Sequence, residues 1–148
     1  MDDARPTRGE RNNNPGNIAF NPRNRWRGQL GIEAPAHPGE APRFAAFDCP
    51  ENGIRAIAKL LLRYRRAEGL QTVRGLLGRW APAVENDAAA YCDDVARRLA
   101  VAADAPLDLA DPALLQELVA AIIRHENGRC IYQPETLAEG VGRALGSA

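Results

Sequence analysis

The chain has 148 residues, of which 45% are hydrophobic and 26% are charged, enough for one globular domain with one core. Its 19 basic and 19 acidic residues give a formal net charge of zero, which removes any long-range attraction to nucleic acid or anionic lipid. We therefore expect no nucleic-acid partner, and the apolar runs are too short for membrane insertion. Cys49, Cys92 and Cys130 are odd in number and irregularly spaced, which predicts unpaired thiols and no metal site. No motif implies a cofactor.

The N-terminal third of the chain is rich in turn residues. Residues 1–10 are polar and are predicted to be flexible. Residues 11–50 are rich in Asn, Pro, Gly and Arg, and their turn signals leave room only for short strands. We predict three such strands, at 16–20, 26–32 and 43–47.

Beyond Cys49 the hydrophobic period becomes helical and predicts five helices. They span 50–67, 72–79, a stretch that begins near 86–87, 112–126 and 134–145. Gly69 is expected to stop the first helix, and Asp111 with Pro112 is expected to start the fourth. A small irregular β region followed by a helical bundle makes one mainly helical α+β domain over residues 1–148.

The fourth predicted helix carries the most informative residue, Glu126. At 100° per residue the apolar side chains of this helix share one face, and Glu126 lies near the middle of that face, one turn after Ile122. A carboxyl group at an apolar position near the C-terminal end of a helix is expected to have a raised pKa. That is the property of a general acid near neutral pH. A structural ion pair, or fraying of the helix before Glu126, would explain the same pattern.

Two segments resemble parts of the lysozyme superfamily. Residues 121–128, AIIRHENG, resemble the end of the helix that carries the catalytic Glu in phage lysozymes and lytic transglycosylases. Residues 11–18, RNNNPGNI, together with 26–28 and 44–47, resemble the β region of bacterial glucosaminidases of that superfamily. The resemblance implies a lysozyme-like fold in which Glu126 is the catalytic acid.

The resemblance extends over nearly the whole chain. Residues 53–61, GIRAIAKLL, are similar to the helix after that β region, and residues 80–91 continue the likeness to small lysozyme-like phage and prophage proteins. In ordinary lysozymes the helix with the Glu precedes the β region, whereas here it follows. We therefore predict a circular permutation, which requires Glu126 to lie close to the backbone of residues 12–17.

Other carboxylates compete for the same roles. Glu10, beside the RNNNPGNI segment, would be the acid if the order were not permuted, although nothing apolar precedes it to bury it. Glu85 is the candidate second carboxylate facing Glu126; as an alternative, it complements the dipole at a helix start. Asp87 could act like Glu85, but its position favours an N-cap.

The candidate substrate-binding residues lie in the turns and among the aromatic side chains. Asn12, Asn13, Asn14 and Asn17 could bind the N-acetyl amides of the sugars or could satisfy backbone groups in tight turns, and both roles remain open. Gly16 would let the backbone come close to a ligand.

Among the aromatic residues, Trp26 and Tyr132 are candidate platforms for sugar rings, and a position in the core is the alternative for them. Tyr91 completes the candidate set.

These observations predict an enzyme that cleaves the β-1,4 bonds between N-acetylmuramic acid and N-acetylglucosamine in bacterial peptidoglycan. The lack of an obvious second acid near the β region favours a lytic transglycosylase over a muramidase. The alternative is a non-catalytic virion or assembly protein that keeps the lysozyme-like fold. No signal peptide is visible, so we expect synthesis in the host cytoplasm. The protein would then act on the cell wall as an endolysin or be carried in a phage virion. We expect it to be a monomer.

Overall fold

The computed structural model describes residues 5–80 and 88–146, and within these ranges the chain is α+β and mainly helical, as predicted. Six helices and a two-stranded antiparallel sheet are present in the described ranges. In chain order they are α1 (Arg8–Arg11), β1 (Gln29–Ile32), β2 (Ala45–Phe47), α2 (Pro50–Glu68), α3 (Val73–Trp80), α4 (Ala88–Leu99), α5 (Pro112–Asn127) and α6 (Pro134–Ala144). The predicted helix start at residues 86–87 lies outside the described residues.

Helix α2 is the central helix of the core. It starts with Pro50 in its first turn and ends at Gly69, whose φ of 71° closes the helix in the left-handed region. Ile54, Ile57 and Leu61 on its inner face are completely buried. Helix α6 packs so closely on α2 that a Cβ atom at Gly140 would approach Ile54 Cγ2 to 2.5 Å.

Helix α5 has the limits that its sequence predicted, to within one residue. The Asp111 side chain accepts a hydrogen bond from the Ala113 amide, and Gly128 ends the helix with a φ of 77°. Its buried face matches the predicted apolar face: Leu115, Leu118, Val119, Ile122 and Ile123 are all buried.

The N-terminal segment differs from its prediction. Residues 1–10 were expected to be flexible, but Arg8–Arg11 form a helical turn in which Thr7 and Glu10 cap each other reciprocally. Both Gly9 and Glu10 are buried in this turn. The prediction was wrong for this turn because the partners that bury it come from distant parts of the chain.

The β region is also smaller than predicted. Residues 16–20 form only a single bridge, between Ala19 and Phe44, in place of a strand. Asn13 and Asn17 have φ values of 51° and 49°, and these left-handed residues fold the segment into consecutive turns. Asn14 is fully buried inside the turns, which leaves little extended backbone for a ladder.

A buried carboxylate ties the N-terminal turn to the β region. Glu33 is 2% exposed. Its Oε1 accepts from Arg8 Nε at 3.0 Å and from Asn12 Nδ2 at 3.0 Å. Its Oε2 accepts from the backbone amides of Arg43 at 2.9 Å and Phe44 at 3.0 Å. The Arg8 guanidinium, helped by these other donors, holds the pKa of the Glu33 carboxyl far below its usual range despite burial.

We expect the Glu33 carboxylate to make stability depend on pH. Because its pKa is lowered by folding, its contribution is present above the ordinary Glu pKa of about 4.3 and is lost as the pH falls toward the folded value. Glu33→Gln should cost about 1.5–3 kcal/mol at neutral pH, the usual contribution of hydrogen bonds to a charged group. It should also make the stability measured by urea unfolding fall less steeply as the pH is lowered. Asp104→Asn is the control: it removes the partner of Arg74 in an exposed pair and should leave the stability nearly unchanged, because solvent screens such pairs. If the unfolding free energies of the wild type and Glu33→Gln fell equally steeply at acid pH, the result would contradict this role.

The start of α2 packs directly against residues 12–19, which we call the Asn-rich turn. A Cβ atom at Gly53 would overlap the carbonyl oxygen of Asn13, and it would also lie 3.0 Å from Pro15 Cδ. Only glycine therefore permits this approach of helix and turn.

We expect Gly53→Ala to destabilise the protein by about 1–3 kcal/mol, the usual cost of overpacking, or more because the obstruction is backbone. Gly78→Ala is the matched control, since Gly78 is exposed in α3 and a Cβ there would meet nothing within 4 Å. That control should stabilise by about 0.5–1 kcal/mol through helix propensity. Urea unfolding of both variants measures the difference, and equal effects would show that the close approach is unimportant.

Candidate functional site

Glu126 lies in the last turn of α5 and faces a cleft of about 490 Å3. One wall is the Asn-rich turn, from Gly16 to Ala19, with Arg43 and Phe44 beside it. The opposite walls are Leu60 and Tyr64 of α2, Trp80 at the end of α3, and Glu126 itself.

Two neutral donors hold the Glu126 carboxylate. Its Oε1 accepts from Asn17 Nδ2 and its Oε2 accepts from Trp80 Nε1, each at 3.4 Å. Both bonds are longer than the usual 2.9–3.0 Å of an N–H···O bond. The contact with the Asn17 side chain places Glu126 beside residues 12–17, and the permuted order itself stays a prediction.

Tyr91 of α4 packs beside the end of α5. It is 3% exposed, and its ring stacks on His125 with centroids 3.5 Å apart and planes 12° from parallel. Burial, followed by the charge of Glu126, raises the pKa of the Tyr91 phenol far above its usual value. Tyr91 therefore supports the helix end next to Glu126 as a neutral phenol, but it is not among the residues that line the cleft.

The competing acid Glu10 has a structural role. Its side chain is 3% exposed and forms an ion pair with Arg129 at 2.7 Å. The Arg129 guanidinium lowers the pKa of the Glu10 carboxyl, the opposite of what a general acid near neutral pH needs. The expectation that nothing would bury Glu10 was wrong, because Arg129 lies 119 residues further along the chain. Glu85, the candidate second carboxylate, lies outside the described residues.

The structure separates the Asn-rich turn into structural and cleft-lining residues. Asn13 Nδ2 donates to the Phe47 carbonyl at 3.2 Å. Asn14 donates to the carbonyls of Ile18 and Ala45 and accepts from the Ile18 amide. Asn13 and Asn14 thus satisfy backbone groups, one of the two roles that the sequence left open for them, and neither is among the residues that line the cleft.

Gly16 and Asn17 do line the cleft. A Cβ atom at Gly16 would approach Ile57 Cγ1 to 2.7 Å and Trp80 Cζ2 to 3.0 Å, so the turn lies directly against α2 and the indole. The assignment of these two residues to the substrate site therefore fits the geometry.

Neither of the two predicted ring platforms reaches the cleft. Trp26 is 9% exposed in the core, and the Arg63 guanidinium lies 5.3 Å from the centre of its ring. Tyr132 is half-buried near Glu10, and burial raises the pKa of its phenol to about 12. Both pack in or against the core, the alternative that the sequence left open for them, and neither lines the cleft.

Sequence reasoning missed the aromatic residues that do line the cleft. Trp80 donates to Glu126, and Phe44 is held between the guanidinium groups of Arg8 and Arg43, 4.6 and 4.8 Å from its ring centre. A signal for Trp80 existed in the sequence, since a large aromatic residue ends a helix just before Ala81 and Pro82. No comparable signal in the sequence indicates that Phe44 lines the cleft, and only the fold shows it.

Other site types are absent from the part of the chain that the structure describes. No group of three His, Cys, Asp or Glu side chains there could hold a metal ion. Cys49, Cys92 and Cys130 are free thiols, as their spacing predicted. None of the described helices combines the length and the apolar character needed to cross a bilayer.

No protein-family model matches the chain. It is 34% identical over 136 residues to Protein P5 of Pseudoalteromonas phage PM2, and the match covers 90% of this chain and 79% of that protein. The chain belongs to the family of that phage protein. The relationship agrees with the phage connection expected from the sequence, and the relative's name states no activity.

Proposed function

We propose that this protein cleaves the glycan strands of bacterial peptidoglycan and that Glu126 protonates the glycosidic oxygen. The observation that carries the proposal is the position of Glu126 in the cleft, where Asn17 and Trp80 each contact one carboxylate oxygen at 3.4 Å. A volume of about 490 Å3 falls within the range of about 300–1,000 Å3 typical of ligand pockets.

The surroundings of Glu126 suit a proton donor. The cleft places the Glu126 carboxyl group beside the aromatic side chains of Phe44, Tyr64 and Trp80, and carboxyl groups in clefts act as general acids in glycosidases. After the proton leaves, the indole N–H of Trp80 and the amide of Asn17 are already in place to donate to the carboxylate. The same two donors therefore contact Glu126 both before it gives up its proton and while it is a carboxylate.

The cleft walls suit an N-acetylated sugar. Phe44 and Trp80 give the cleft an aromatic lining that suits the apolar faces of sugar rings, and Asn17 carries an amide that complements an acetamido group. At Gly16 the backbone borders the cleft without a Cβ atom. These features support a β-1,4-linked N-acetylhexosamine strand as the substrate.

Glu126 alone is sufficient for the transglycosylase route. It gives its proton to the leaving oxygen as the glycosidic bond breaks, then takes the proton of the C6 hydroxyl of the muramic ring as that oxygen bonds to C1. The product is a 1,6-anhydro sugar. In the muramidase route, water supplies the oxygen and a second carboxylate assists. Mass spectrometry separates the routes, because the anhydro product lacks one water relative to the hydrolysis product.

Glu126→Gln is expected to lower the rate of solubilising dye-labelled peptidoglycan by about 10²- to 10⁴-fold, because the amide cannot protonate the leaving oxygen. Glu117→Gln is the matched control on the exposed face of the same helix and should retain wild-type activity. Circular dichroism and thermal unfolding should show native folds for both variants.

Wild-type activity in Glu126→Gln would show that another group is the acid. A wild-type protein that pellets with peptidoglycan but releases no label would identify the non-catalytic virion or assembly role instead.

Trp80→Phe tests the indole donor separately from the ring. It removes the N–H that reaches Glu126 and keeps an aromatic wall, so we expect kcat to fall about 10-fold with little change in KM. Tyr132→Phe removes a polar hydrogen from an aromatic residue outside the cleft and should leave both constants unchanged. An unchanged kcat in Trp80→Phe would mean that this hydrogen bond does not contribute to the reaction.

A further inference from the structure

A second concave surface lies along the outer side of α2, with a volume of about 930 Å3. We call it the basic groove, because four cationic side chains of α2 line it: Lys59, Arg63, Arg65 and Arg66. Asp108 is the single acidic residue among its described lining residues. The groove therefore has a strong positive potential in a chain whose formal net charge is zero.

These cations are available to a ligand. Arg63, Arg65 and Arg66 are exposed, and none of the four makes an ion pair with another described residue. By contrast, the exposed arginines that do form ion pairs lie on other elements. Arg98, which pairs with Asp94 on α4, is an example. A row of unpaired cations around a concave surface favours an anionic ligand.

The floor of the groove is apolar. Trp26 lies beneath Arg63, and Leu62, Leu107 and Leu109 complete the floor. An apolar floor with a cationic rim complements a short peptide that carries both methyl groups and carboxylates. It does not suit single-stranded nucleic acid, which needs exposed aromatic faces for stacking, because Trp26 is 9% exposed.

The groove and the cleft share α2 as a common wall. Leu60 and Tyr64 face the cleft, and Arg63 faces the groove. At 100° per residue Arg63 lies only about 60° around the helix from Leu60, and Lys59 to Arg66 spans about 10 Å along the axis. A four-residue extended peptide reaches about 13 Å. A peptide attached to a sugar in the cleft can therefore cross the edge of α2 and lie along the groove.

We propose that the basic groove binds the acidic stem peptide of the peptidoglycan strand whose sugars occupy the cleft. This inference rests on the proposed function. The stem peptide is attached to the muramic acid next to the bond that is cleaved, and its carboxylates meet Arg63 and Arg66 while its methyl groups lie on the apolar floor. The groove thereby selects peptide-bearing strands over bare glycan.

The test compares intact glycan strands with the same strands stripped of stem peptides by an amidase. We expect the wild type to have about a 10-fold lower KM on intact strands, with similar kcat. The double variant Arg63→Gln/Arg66→Gln should raise the KM on intact strands to that on stripped strands. Arg97→Gln/Arg98→Gln removes the same charge from the exposed face of α4 and should leave both KM values unchanged.

A titration with the free stem tetrapeptide, followed by calorimetry, tests the groove without any activity. The wild type should bind the tetrapeptide, and Arg63→Gln/Arg66→Gln should weaken the binding about 10-fold or more. Equal KM values on both strands together with no peptide binding would overturn the inference and leave the proposed function intact. If neither intact nor stripped strands were cleaved, the result would count against the proposed function. The titration alone would then show whether the groove binds the stem peptide. Binding of a single-stranded oligonucleotide that depends on Arg63 and Arg66, with none of the peptide, would reassign the groove to nucleic acid.

Discussion

The contact between the end of α5 and the Asn-rich turn is the constraint on which the candidate site depends. Asn127 Nδ2 donates to the Pro15 carbonyl at 2.8 Å and to the Ile123 carbonyl at 2.9 Å, and its Oδ1 accepts from the Thr7 hydroxyl at 2.6 Å. One side chain thus joins the last turn of α5 to the N-terminal turn at Thr7 and to the Asn-rich turn at Pro15. Because Glu126 precedes Asn127, this contact sets the position of its carboxylate against Asn17.

Three glutamates of this chain show how surroundings determine the role of one side-chain type. Glu10 and Glu33 each meet a guanidinium group, and both have pKa values below the usual range. Glu126 meets an indole and an amide in an open cleft. A carboxylate whose pKa is held low cannot carry a proton at neutral pH, so Glu10 and Glu33 stabilise the fold around the turn. Glu126 differs from both because it lines the cleft, and the proposed chemistry is therefore assigned to it.

The sequence predicted what local signals control, and it failed where distant residues decide. Helix α5 was predicted to within one residue because Asp111, Pro112 and Gly128 mark its ends and its period shows the buried face. Glu126 was identified by its position on that face. The helical turn before Arg11 was missed because its acid, Glu10, is buried by Arg129 from beyond α5. Nothing local distinguishes the core residue Trp26 from the cleft residue Trp80, so the sequence offered Trp26 as a ring platform and gave Trp80 no role.

The chain order has a consequence for how the site forms. Each contact that builds it joins residues far apart: 109 positions separate Asn17 from Glu126, and 46 separate Trp80 from Glu126. Closing such long loops has an entropic cost that local helix formation does not have. Helix α5 can form early from its own caps, but Glu126 faces a cleft only after α5 docks on the turn. The site therefore forms only when these long-range contacts close, and the side chain of Asn127 couples it to the N-terminal turn.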